Sequence, residues 1–147
     1  MEDSGFVRIA KTRKACSLLY VYPCERKTLS EIKKAIICFL YTEKIKSELI
    51  LAANLLETLN SMGDKDIVGA EKLMVAHLKA LMGEVNFAVN ASGIESFREV
   101  NVKLENAVQQ IEQHNYVNAV KFLSGAISIT TTSGHQASQT LRDNDLI

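Results

Sequence analysis

The chain has 147 residues, 47% of them hydrophobic and 23% charged, which is the composition of one ordinary globular domain with a real core. Seventeen basic residues balance seventeen acidic ones, so the electrostatic footprint of a general nucleic-acid binder is missing. One Pro and no Trp suit an all-helical chain with short connections, and no apolar run approaches the roughly 18–20 residues that a membrane span needs.

Residues 1–27 differ from the rest. Arg8, Lys11, Arg13 and Lys14 are basic, and the short apolar run Leu18-Leu19-Tyr20-Val21-Tyr22 stops at Pro23. The segment can be read as a strand, a loose arm or an added segment. Residues 1–40 hold eight Lys/Arg against four Asp/Glu, a charge of +4, and the remainder carries −4. A basic arm can tether nucleic acid or an anionic surface; the plainer reading is a solvated terminus. An apolar run after basic residues also resembles a short export signal, but Tyr22-Pro23-Cys24 is a poor cleavage site and charge follows at once. The three cysteines, Cys16, Cys24 and Cys38, show no C-x2-C pairing of the kind zinc sites use, so they read as reduced thiols of a cytoplasmic protein.

Thr28-Leu29-Ser30-Glu31 fits a capping box, in which the Thr hydroxyl takes an orphan N–H and the Glu side chain reaches back. A helix carrying Ile32, Ala35, Ile36 and Phe39 starts there, and no Gly or Pro separates it from the next. That next helix, residues 41–61, puts Tyr41, Ile45, Leu49, Ala52, Leu56 and Leu59 on one face, with Cys38 just before it. Met62-Gly63-Asp64 reads as a left-handed exit at Gly63 and an N-cap at Asp64.

The second bundle helix, residues 65–91, buries Ile67, Ala70, Met74, Leu78, Leu81, Val85 and Ala88. Beside them Val68, Val75, Met82 and Val89 recur every seven residues, widening the apolar arc to about 160°. So wide an arc marks a central helix or one that also meets a partner, and the four-residue row is the candidate interface of a homodimer. Asn90-Ala91-Ser92-Gly93 ends it. The third helix, residues 94–114, presents Phe97, Val100, Leu104, Ala107, Val108 and Ile111; Glu95 and Glu99 suit its N-terminal turn, and Asn115 takes the left-handed exit.

The fourth helix, residues 116–141, aligns Tyr116, Ala119, Val120, Leu123, Ala126, Ile127, Thr130, Gly134, Ala137 and Leu141. Its patch Ile129-Thr130-Thr131-Thr132-Ser133-Gly134 has strand-favouring residues, yet the helical phase runs through unbroken. Hydroxyls there can bond back to the carbonyl four residues earlier. Small residues around the patch suit close helix packing; the alternative is a ligand pocket lined by Thr130, Thr131 and Ser133. Links of about two to five residues force neighbouring helices antiparallel. The expected fold is therefore all-α, an up-down-up-down four-helix bundle over residues 28–147 with the extra N-terminal arm before it.

Chemistry is harder to find. Di-metal bundles need Glu-x-x-His, but Met74, Ile111 and Thr132 stand three residues before His77, His114 and His135. His77 and Glu84 lie about 10 Å apart along a helix, too far to share a metal. Ser133 and His135 do not face one another on a helix, so no triad forms and His135 reads as a surface residue. A helical ribonuclease of the HEPN kind would show His four to six residues after Arg, and neither Arg98 nor Arg142 does. Gly83 and Gly93 are isolated, with no phosphate loop. No catalytic, cofactor or metal residue is thus expected, and the reading favours a protein-interaction or oligomerisation module over an enzyme.

Two resemblances stand beside this reading. Ala107, Tyr116, Ala119, Leu123 and Ala126 resemble part of a tetratricopeptide repeat, but the pattern occurs once, and such repeats need stacked neighbours. Leu55-Leu56-Glu57-Thr58-Leu59 and the Ile129–Gly134 patch make residues 41–147 similar to small uncharacterised four-helix-bundle proteins of thermoacidophilic archaea. That resemblance implies the same fold and sets residues 1–40 outside it.

Overall fold

The computed structural model describes residues 28–147, so the basic arm, with Cys16 and Cys24, lies outside the described residues. Four helices account for nearly all of the described chain, with no strand among them: α1 (Leu29–Asn60), α2 (Asp64–Ser92), α3 (Ser96–Glu112) and α4 (Tyr116–Asp143). Each helix packs on two others, α1 on α2 and α4, and α3 on α2 and α4. The backbones of the diagonal pairs do not come close. This is the square, alternately reversed bundle that short links demand.

α1 begins at the expected capping box. Thr28 Oγ1 accepts from the Glu31 backbone N–H, and Glu31 Oε2 accepts from the Thr28 N–H at 2.7 Å. The helix then runs unbroken for 32 residues. Residues 29–40 are therefore part of the bundle, with Ala35 buried, and not an appendage to it.

Two turns differ from expectation. Gly63 is extended (φ −77°) and caps α2 without any left-handed step, while Asp64 is already helical and caps nothing with its side chain. After α3 the left-handed residue is His114 (φ 58°), not Asn115. The Asn115 N–H donates to the Gln110 carbonyl at 2.8 Å, closing α3, and Asn115 Oδ1 accepts from the Asn118 N–H to open α4. At the end of α2, Gly93 (φ 69°) makes the left-handed exit.

The core lies along the bundle axis. Leu49, Leu56, Leu78, Val85, Phe97 and Leu123 are among the residues with no exposed surface. All six of the α3 stripe residues are buried. Each large side chain so buried contributes about 1.5–3 kcal/mol, far above any surface ion pair.

The Ile129–Gly134 patch continues α4 as helix. Thr130, Thr131, Thr132 and Ser133 each donate to the carbonyl four residues back, at 2.8–3.0 Å. β-branched residues stay helical here because their hydroxyls are satisfied within the helix itself.

Candidate interaction surface

α2 is apolar on more than one side. Its core row faces inward, as expected. The row Val68, Val75, Met82 and Val89 does not form an open stripe. Val68 is 55% exposed, Val75 and Met82 are half-buried against the core, and Val89 is only 6% exposed. The cause is geometric. A seven-residue repeat on a helix of 3.6 residues per turn drifts about 20° per step, and this row drifts inward, toward the α3 side of the core.

The exposed row lies on the opposite side. Gly69, Leu73, Ala76, Ala80, Gly83 and Phe87 are all exposed, and their spacing of four and three residues keeps them on one ridge of the outer face, with the exposed Lys65, Lys72 and Lys79 running along its edge. Leu73 is 75% exposed and Phe87 66%. No charge interrupts the ridge. A helix facing water on that side normally carries charged or polar residues there. Sequence reasoning missed this row because Gly and Ala register neither as core nor as polar.

α1 extends the surface. Leu55 of α1 and Met62 of the turn after it are exposed beside Leu73, and Leu51 is exposed one turn earlier on α1. Between the two helices runs an apolar groove of about 360 Å³, bordered by Leu55, Leu59, Met62, Leu73, Met74 and His77. His77 Nε2 is buried there without a hydrogen-bond partner. At the far end, Lys44 and Glu84 pair across α1 and α2 at 2.5 Å, with both side chains about half exposed. That bond holds the lysine above its ordinary pKa.

The hydroxyl residues are divided among different surroundings. Thr130 is fully buried and Thr131 faces solvent. Ser133 alone of the three lines a polar cleft of about 770 Å³, where α1 and α4 run past the α2–α3 turn. Its Oγ lies 2.6 Å from Ser96 Oγ, tying α4 to the start of α3. The Cys38 thiol donates to the Ser133 carbonyl at 3.9 Å, and burial pushes its pKa up. His135 is exposed at the rim.

A third cluster joins α2, α4 and the turn between α3 and α4. Glu71 Oε1 on α2 accepts from the Tyr116 hydroxyl and lies 2.6 Å from His114 Nδ1. The Tyr116 hydrogen bond, helped by His114, holds the Glu71 carboxyl below its ordinary value against the opposing effect of burial. Burial and then the carboxylate push Tyr116 up to about 12. The cluster clamps the α3–α4 turn to α2. Among the described residues, no group of three or more His, Cys, Asp and Glu side chains could hold a metal ion. No described helix is long and apolar enough to cross a membrane.

No protein-family model, curated protein or solved structure matches the chain. The surface must therefore be interpreted from its own chemistry.

Proposed function

We propose that the protein is a non-enzymatic interaction module that pairs with a second copy of itself through the outer ridge of α2 and the adjoining part of α1. One observation carries this reading: six successive ridge positions on the outer face lack any charge or hydrogen-bonding side chain, and two of them are Leu and Phe. The extent of the surface supports it. The ridge from Gly69 to Phe87 is about 27 Å long and the two helices together about 20 Å wide. That is a projected patch on the order of 500 Å², which side-chain relief carries toward the roughly 800 Å² per partner of a standard interface. A cytoplasmic location goes with this proposal, on the reading of the three cysteines, which lack any C-x2-C pairing, as reduced thiols.

Light scattering across a concentration series tests the reading. The native chain should show the mass of a dimer at micromolar concentration. Ala80→Glu places a charge in the middle of the ridge and should give the monomer, with the helical circular dichroism signal unchanged. A native chain that stays monomeric at every concentration would overturn the proposal.

A further inference from the structure

We infer that the two copies pair antiparallel, with their α2 helices meeting at Ala80 and Phe87 of each copy entering the α1–α2 groove of the other. This rests on the self-association proposed above and adds its geometry.

The two large residues of the ridge are placed symmetrically about Ala80. Leu73 and Phe87 stand seven residues on either side of Ala80, so the three form one column with steps of about 10 Å. The centre is small, with Ala76, Ala80 and Gly83 between the two large ends. A Cβ added at Gly83 would meet nothing within 4 Å, so the space above the helix is open. Small central residues let two helix axes approach to about 8 Å, the short end of the usual range.

A two-fold axis through Ala80, in the contact plane and across α2, exchanges positions equally distant from Ala80. Phe87 then falls on the partner's Leu73, at the edge of the groove bordered by Leu55, Leu59, Met62 and Met74. The groove measures about 360 Å³, and cavities of about 150 Å³ already take up a benzene ring. The same axis sets Gly83 against His77, leaving room for the ring. It sets Glu84 against Ala76, and Glu84 enters already paired with Lys44. A parallel arrangement instead stacks Phe87 on Phe87 and leaves both grooves empty. The antiparallel one buries both Phe87 side chains and fills both grooves, and for that reason it is favoured.

Single-cysteine variants of the full chain test this, with Cys16, Cys24 and Cys38 replaced by Ser. Under mild oxidation Ala80→Cys should form a disulfide-linked dimer. Leu73→Cys and Phe87→Cys should each link poorly alone and link readily when mixed. Phe87→Ala, changing a side chain that is exposed in the single copy, should weaken dimerisation at least about tenfold without loss of helical signal. Cysteines at 73 or 87 that link to themselves, or a native dimer in which Ala80→Cys does not link, would overturn the antiparallel arrangement and leave self-association standing. A monomeric native chain would overturn both.

Discussion

Gly134 in α4 sits where α1 approaches closely. A Cβ built there would lie 2.4 Å from Thr42 Cγ2 and 3.3 Å from Thr42 Cβ. Thr42 is 1% exposed and its branched Cβ restricts it to few rotamers, so it has little room to move aside. Two effects oppose each other in Gly134→Ala. Replacing a helical glycine gains about 1 kcal/mol. Forcing a methyl into a filled site costs about 1–3 kcal/mol. Carbon atoms pack best at about 3.5–4.0 Å, and a contact more than 1 Å inside that range puts the cost at the upper end. The expected net loss is about 1–2 kcal/mol, or roughly 3–8 °C in Tm for a chain of this size. Thr42→Ser removes the obstructing methyl. Alone it should cost about 1 kcal/mol of lost burial, but beside Gly134→Ala it should restore stability. Urea denaturation of both single variants and the double variant gives the coupling directly. If Gly134→Ala is as stable as the native chain and the two changes simply add, the α1–α4 contact is not what holds this position to glycine.

Acid should loosen the Glu71 clamp. The folded Glu71 carboxyl lies below its unfolded value, so its stabilising contribution is complete above the ordinary carboxylate pKa and is lost as pH falls through the depressed one; Glu71→Gln should flatten the stability profile in that acidic window, and an unchanged profile would refute the clamp. Tyr116, raised to about 12, contributes stability that is full below its unfolded pKa near 10 and declines as pH rises through about 12, so Tyr116→Phe should abolish the alkaline loss seen by circular dichroism. Gly83→Ala should stabilise the separated chain by up to about 1 kcal/mol while weakening dimerisation in sedimentation velocity; a gain in both would show that nothing approaches this part of α2.

The helical periods were legible because core packing demands them. The stripes of Leu49, Leu104 and Leu123 were read from spacing alone, and all three residues are buried. Turn chemistry was read less well. Gly63 offered a left-handed exit the chain does not take, and His114 takes one a residue before the more tolerant Asn115. In both places the helix ended where its hydrophobic face ended, and the cap residue adapted. Contacts between helices carried no periodic signal, yet one existed. Glu71 meets Tyr116, and Asn101 donates to Asn86 at 2.6 Å. Both pairs are centred on one point, between Gly93 and Ile94. An antiparallel hairpin brings together residues equally distant from its turn, so folding the sequence at Gly93 would have found them.

The glycines of α2 bear on the same question as its missing charges. Gly69 and Gly83 sit inside the helix, each costing it about 1 kcal/mol against Ala. Among the described residues nothing demands them, since a Cβ at either would meet no atom within 4 Å. Gly134 shows what a demanded helical glycine looks like, with the Thr42 methyl pressed against it. Gly69 and Gly83 lie on the same ridge that exposes Leu73 and Phe87, and they leave its surface open to close approach. In the antiparallel pairing proposed above, Ala80 meets Ala80 and Gly83 leaves room for the partner's His77 ring, so the close approach asks for a small residue at both positions.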